Sequence, residues 1–322
     1  MKIFVTGASG FVGGAVVAQL NGTHDFLCMS RSKASDEKIR AFGGEPVRCS
    51  LNEVTAEHMN GADVVIHSAA YVEAWGPWKT YWDYNVAATS QILEVAKAAG
   101  VKRFIHIGTE AALFHGQHMR SIDETYPLAL ASPFPYSRTK AHAEAAVLAA
   151  NEDGEFETIV VRPRFVWGPG DQTLLPELSE MAAKGAFVWI DGGTAQTSTV
   201  YIDNLVEGIR LAIEKGKGGE AYFITDDEIV TMREIISGMA EAVGLDLPDK
   251  KAPGGLVRAM AYVTEKTWRL FRIKSAPPIT RFAANIMSRD CTICIDKAKS
   301  DLGYVPLVSI KQGLAAMKDL HS

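Results

Sequence analysis

TGASGFVGG, residues 6–14, decides the fold. It follows KIFVT (2–6), a short β-prone run, and continues into FVGGAVVAQL (11–20), which reads as a helix. Gly7, Gly10 and Gly13 are spaced three apart. A glycine triplet alone is weak evidence, but one that closes a first strand and opens a first helix is strong. The turn there is tight, and its backbone must approach a pyrophosphate whose charge rests on free N–H groups at the helix N-terminus. The stretch therefore predicts a dinucleotide cradle built from Gly7, Ser9, Gly10, Phe11, Val12 and Gly13.

Outward from this loop, apolar β-prone runs alternate with helical ones. DFLCMS (25–30), PVRCS (46–50), ADVVIH (62–67), KRFIHIG (102–108), ETIVVRP (157–163) and EAYFIT (220–225) read as strands. VAATSQILEVAKAAG (86–100), the alanine-rich stretch from 136 and VYIDNLVEGIRLAIEKG (200–216) read as helices. Strands without polar alternation, separated by helices, indicate a parallel sheet covered on both faces. The expected fold class is α/β, a doubly wound parallel Rossmann sheet with a smaller, discontinuous C-terminal substrate domain. The boundaries expected are 1–168 plus about 199–225 for the dinucleotide-binding domain, and 169–198 with 226–322 for the substrate-binding lid.

Composition narrows the function classes. The 322 residues are 47% hydrophobic and carry a net charge of −5. Scattered basic residues in an acidic chain give no footprint for nucleic acid. No apolar run approaches the roughly 20 residues of a membrane span, and MKIFVTG reads at once as strand and turn rather than as a signal segment. The cytoplasm is the default location. Four cysteines do not make a disulfide scaffold at this size. Cys291 and Cys294 have zinc-ligand spacing, but CTICI alternates as a strand, so the two face opposite sides. His115 and His118 lack a partner motif, and no metal is expected.

An NAD site usually has an acidic residue about 20 residues past the glycine loop, on the ribose 2′-OH. Here the second strand ends in Met29-Ser30-Arg31-Ser32-Lys33, with no carboxylate before Asp36. Arg31 stands where a guanidinium could grip a 2′-phosphate, with Ser32 and Lys33 beside it. The reading favours NADP, with NAD as the alternative.

PYSRTKAHAE (135–144) places Tyr136 and Lys140 one helical turn apart, on the same face. That spacing is common by chance. It gains weight from Thr109, a hydroxyl ending the strand FIHIGTEA 27 residues upstream.

These residues converge on a known pattern. TGASGFVGG, GADVVIHSAA (61–70), YNVAATSQILEVAKAAGVKRFIHIGTEA (84–111), YSRTK (136–140) and VVRPRFVWGPGD (160–171) occur in order. The chain resembles an extended short-chain dehydrogenase/reductase over its whole Rossmann portion. APPITRFAANIMSRDCTICIDKAKSDLGYVPLVSIKQGL (276–314) resembles the 3β-hydroxysteroid dehydrogenase branch, with dihydroflavonol-type reductases as near relatives.

The resemblance implies Tyr136 as general acid/base, Lys140 as its cationic partner on the nicotinamide ribose, and Thr109 in the place of the usual serine. It implies cofactor contacts at Ser68, Ala69, Ala70, Pro163 and Val166, a family asparagine at Asn85, and a dimer. Relatives commonly have aspartate before Leu51, near the adenine, where this chain has Ser50. A free phenol titrates near 10, and Lys140 with an oxidised nicotinamide would lower that value.

Arg164, Trp167 and Tyr201 could line the pocket or simply pack, and Glu110 could face substrate or pair with a base. The stretch 111–134 is long for an idle loop and reads as a cover. In GLVRAMAYVTEKTWRLF (255–271), Leu256, Met260, Val263, Thr267 and Leu270 share one face, with Phe271 beside it. The plain expectation is a lid helix covering the core; the alternative is an apolar entry for a lipid-like substrate, at a membrane surface. The function expected is an NADP(H)-dependent oxidoreductase interconverting a ketone and a secondary alcohol on a hydrophobic substrate, sterol-like or β-keto acyl. Two alternatives stay open: an NAD-dependent nucleotide-sugar epimerase or dehydratase, and a non-catalytic dinucleotide sensor.

Overall fold

The computed structural model describes residues 1–171, 174–273 and 275–320. Seven parallel strands form the main sheet: β1 (Lys2–Thr6), β2 (Asp25–Ser30), β3 (Glu45–Arg48), β4 (Val64–His67), β5 (Arg103–Ile107), β6 (Glu157–Pro163) and β7 (Glu220–Ile224). Their spatial order is β3-β2-β1-β4-β5-β6-β7. The chain direction across the sheet reverses between β1 and β4, which is where a doubly wound fold opens its ligand crevice.

The strands lack polar alternation because both faces are buried. Ile3, Val5, Ile66, Ile105 and Ile159 pack into one apolar cluster. Phe4, Val65, Phe104 and Val160, the neighbours along each strand, pack into the opposite one. The period of two along a strand thus serves two cores rather than one core and solvent.

Helix α1 (Phe11–Leu20) follows β1, and α2 (Lys33–Ala41) follows β2. The helix expected over 86–100 begins as a π-helical turn, Asp83–Ala87, and continues as α3 (Ala88–Ala98). Helix α4 (Pro135–Ala149) has Pro135 at its first turn, where a missing N–H costs nothing. Helix α5 (Ile202–Lys215) packs on α1 and β6.

Two expectations need correction. The stretch 111–134 is not a loop lying over the site. It buries Phe114, Met119, Ile122 and Phe134, and it contributes the strand Met119–Ile122. That strand joins a second, four-stranded sheet in the order Ile229–Thr231, Gln196–Ser198, Cys291–Ile293, Met119–Ile122. Its apolar side chains find burial by pairing with a segment 170 residues away rather than by capping the crevice.

The second correction concerns helix α6 (Gly254–Leu270). Its apolar stripe does not cover the core. Leu256, Met260, Val263 and Leu270 are 56, 56, 62 and 77% exposed, and Phe271 is 70% exposed. The face turned inward carries Gly254, Val257, Ala261 and Glu265. Small residues let α6 approach its neighbour Arg281–Ile286 closely. Glu265 is drawn in because it accepts a hydrogen bond from the Arg281 backbone N–H, at 2.6 Å. The lid expected over 169–198 and 226–322 includes residues 172–173, 274 and 321–322, which lie outside the described residues.

Candidate active site

The ends of three adjacent strands are flush. Thr6, His67 and His106, the last or near-last residues of β1, β4 and β5, are register partners in one row. Strands in a sheet lie about 4.8 Å apart, so everything leaving this edge shares one crevice.

Gly7 leaves β1 at φ +75°, and a Cβ there would lie 2.9 Å from the Ala69 backbone nitrogen. A Cβ on Gly13 would lie 2.4 Å from the Gly7 carbonyl oxygen. Only glycine allows the turn to pass under the β4 end and the helix to start against the turn. Gly10 caps α1 without any side-chain hydrogen bond. The first N–H groups of α1 are thus available to an anion, and the cradle fits a dinucleotide pyrophosphate. Ser9 lies in this turn and Phe11 and Val12 open α1, and the Ala69 N–H donates to Thr6 Oγ1 at 3.2 Å, which brings the segment after β4 beside the turn.

At the end of β2, Arg31, Ser32 and Lys33 are exposed. Ser32 caps α2, its hydroxyl accepting from the Ser35 N–H at 3.2 Å. Asp36, the first carboxylate past the end of β2, accepts from Ser30 Oγ at 2.5 Å and is ion-paired with Arg48. Its negative charge is therefore already countered, while Arg31 makes no hydrogen bond or ion pair to any described residue. Ser50 donates to Glu53 at 2.7 Å, and Leu51 is buried beside it.

The catalytic candidates meet beyond β5. Thr109 caps the short turn Glu110–Leu113, its hydroxyl accepting from the Ala111 N–H at 3.1 Å. The same hydroxyl donates to Glu110 Oε2 at 2.9 Å. Glu110 is buried and paired with buried Arg164, which also donates to Thr197 Oγ1 at 3.0 Å. Asn85 ties the site together: its side chain exchanges hydrogen bonds with the Tyr71 backbone at 2.7 and 3.1 Å and donates to Thr139 Oγ1 at 3.2 Å. The ring of Tyr136 packs edge-on against Phe282.

Lys140 is 3% exposed. Its ammonium donates to the Ile107 carbonyl at 2.9 Å and lies 3.2 Å from His106 Nε2. Burial lowers its pKa to about 8, with Glu144 opposing the shift. The expectation that Lys140 lowers the phenol needs correction. Burial pushes Tyr136 well above its ordinary value, Glu110 pushes it further, and the Thr109 hydrogen bond only partly offsets them. Lys140 faces the strand end and the histidines instead. It helps burial to hold both rings neutral: His67 is lowered to about 3 and His106 falls well below the ordinary range. His67 spans Thr6 Oγ1 at 2.7 Å and Thr89 Oγ1 at 2.9 Å.

Pro163 ends β6 opposite Ile224, and Val166 pairs with Val200. Trp167 and Tyr201 pack into a third apolar cluster with Trp189, Met232 and Ile236, with Trp167 Nε1 donating to Asp226 at 3.0 Å. Cys291 is buried in its strand, and His118 pairs with Asp290. Among the described residues no group of three metal-ligating side chains gathers. The Glu110–Arg164 pair and the two buried histidines were not singled out from sequence as partners. The available signal was polar residues inside otherwise apolar strand ends, in VVIH and FIHIGTE.

The chain belongs to the NAD dependent epimerase/dehydratase family, whose model matches residues 3–225. It is 36% identical to 4-hydroxy-2-methyl-3-oxo-4-farnesyl-3,4-dihydroquinoline-1-oxide ketoreductase of Stigmatella aurantiaca, covering 99% of this chain and 96% of the relative. It is 34% identical to 2-alkyl-3-oxoalkanoate reductase of Stenotrophomonas maltophilia, over 99% and 98%. It is 30% identical to a decarboxylating sterol-4-alpha-carboxylate 3-dehydrogenase of Dictyostelium discoideum, over 97% and 98%. Among solved structures, UDP-glucuronic acid 4-epimerase from Bacillus cereus in complex with NAD shares the fold, with a TM-score of 0.75 at 22% identity and full coverage of both chains.

Proposed function

We propose that this protein is an NADP(H)-dependent oxidoreductase that interconverts a ketone and a secondary alcohol on a hydrophobic substrate. The observation that carries the reading is the meeting of Thr109, Tyr136 and Lys140 at the end of β5, on the same sheet edge as the Gly7–Gly13 cradle. The names of the similar ketoreductase, oxoalkanoate reductase and sterol dehydrogenase support it. Residues 1–168 with about 199–225 would form the dinucleotide-binding domain, and 169–198 with 226–322 the substrate-binding lid.

A bound dinucleotide supplies or accepts the hydride. The chain's own groups manage the proton and the charge. With its pKa raised, Tyr136 is a protonated phenol at neutral pH, suited to donate to the oxygen of a ketone as negative charge develops there. Thr109 can then turn its O–H, donated to Glu110 here, toward the substrate oxygen, while the Ala111 N–H keeps the Thr109 oxygen in place. Lys140 would hydrogen-bond the ribose of a bound dinucleotide from the place its ammonium holds beside the Ile107 carbonyl. The Arg31 guanidinium, unpaired, and Asp36, already paired, favour a 2′-phosphate over a free ribose diol. A homodimer working in the cytoplasm completes the reading, on the family resemblance.

The test is a panel of ketones and secondary alcohols, from β-keto acids to sterols, followed by reduced-nicotinamide absorbance with both cofactors. Turnover with NADPH on apolar ketones is expected. Tighter NAD than NADP binding, with turnover only of nucleotide sugars, sinks the reading.

A further inference from the structure

Helix α6 shows solvent the face that its sequence pattern would assign to a core. Leu256, Met260 and Val263 recur every three or four residues, Leu270 follows two turns further on, and Phe271 extends the stripe at its end. At 1.5 Å per residue, the stripe from Leu256 to Leu270 is about 21 Å long. Scattered exposed apolar side chains are ordinary, but an aligned stripe of this length marks a contact surface.

The charge beside the stripe says what it meets. Residues 254–273 carry Arg258, Lys266, Arg269 and Arg272 against one acid, Glu265, whose carboxylate is turned inward. Lys266, Arg269 and Arg272 have no carboxylate partner among the described residues, and neither does Arg138 nearby. Lys266 instead leans on the Tyr262 ring, Arg269 on Trp75 and Arg138 on Trp78. In a chain of net charge −5, this is a local cationic rim around an apolar ridge, with aromatic rings at the boundary. Among the described residues no helix is long and apolar enough to cross a membrane. An apolar ridge with a basic and aromatic rim is instead the pattern of a helix lying in the interface of an anionic bilayer.

The position of the ridge gives it a use. Its Leu270–Phe271 end adjoins a cleft of about 990 Å³ lined by Tyr71, Trp75, Trp78, Pro135, Trp268 and Arg272. Pro135 precedes Tyr136, and the Tyr71 backbone is held by Asn85. We infer that α6 docks the protein on anionic membrane surfaces, setting the mouth of this cleft against the lipid from which an apolar substrate would enter. The inference concerns binding and stands apart from turnover.

The experiment is co-sedimentation of the full chain with vesicles of phosphatidylglycerol or phosphatidylcholine, for the wild type and for Leu270→Glu/Phe271→Glu. Both side chains are exposed, so the variant is expected to melt with the wild type and to keep its turnover of a short, water-soluble ketone. Expected are binding to phosphatidylglycerol vesicles, binding weaker by at least about tenfold to phosphatidylcholine, weakening at high salt, and loss of at least about tenfold in the variant. Absence of wild-type binding overturns the inference, as does a variant that binds equally well. Equally decisive against it is a wild-type dimer that the variant splits without any vesicle binding, since a second copy would then be the occupant. Vesicle binding without turnover of any ketone would leave this inference standing and sink the proposed reaction.

Discussion

The main sheet and helix α6 use the same kinds of residue to opposite ends. In the sheet, Ile66 and Ile105 vanish between two layers of helices, and even the polar ends of the strands, Thr6, His67 and His106, are enclosed; Thr6 and His67 bond each other, and His106 meets Lys140 through Nε2 while its Nδ1 has no partner among the described residues. In α6, Leu256, Val263 and Leu270 face water, and the acid Glu265 is inside. Periodicity reports which residues share a face; it does not report which way that face points. Direction is set by what the neighbouring element can accept, and the small residues Gly254 and Ala261 accept a packed helix better than leucines do.

The contrast can be broken or sharpened at several points. The largest effect is expected at the catalytic edge: Tyr136→Phe should lower turnover by roughly 10²- to 10⁴-fold while leaving the melting temperature nearly unchanged, read by steady-state assay and thermal melt. Ile66→Ala, within the sheet, should cost about 2–5 kcal/mol in a denaturant titration. Gly13→Ala forces a Cβ against the Gly7 carbonyl; a loss of about 1–3 kcal/mol of stability and weaker dinucleotide binding by fluorescence titration are expected. Arg31→Gln should raise the NADPH Michaelis constant about tenfold or more and leave that for NADH nearly unmoved; equal changes would remove the 2′-phosphate reading. With Lys140 depressed to about 8, its charge is present below that pH and lost above it. Cofactor affinity should fall as pH rises through about 8, whereas the burial cost of the charged ammonium should shrink over the same range up to its unfolded value. Leu270→Ala, on the outward stripe, should change stability by no more than about 0.5 kcal/mol; a loss like that of Ile66→Ala would mean the stripe is buried after all.

Much of this was legible beforehand, for physical reasons that differ by region. The strands 2–6, 25–30 and 157–163 agree with β1, β2 and β6 to the residue, because continuous apolar runs bounded by turn residues have few other solutions. The cradle was legible because close backbone approach leaves glycine no substitutes. Residues 111–134 were not, because the strand Met119–Ile122 acquires its meaning from Cys291–Ile293, a partner no local pattern reveals. The direction of the phenol's shift was not legible, because the spacing of Tyr136 and Lys140 is visible in sequence while the burial of the phenol, and Glu110 beside it, is not.

That same pairing sets a timetable for synthesis. Cys291–Ile293 is the middle slat between Gln196–Ser198 and Met119–Ile122, joined further by Ile293 N–H to Ser198 Oγ and by Ser121 N–H to Thr292 Oγ1. A nascent chain can close its large sheet once residue 224 has left the ribosome, yet 119–122 must wait with a naked edge until about seventy more residues have emerged.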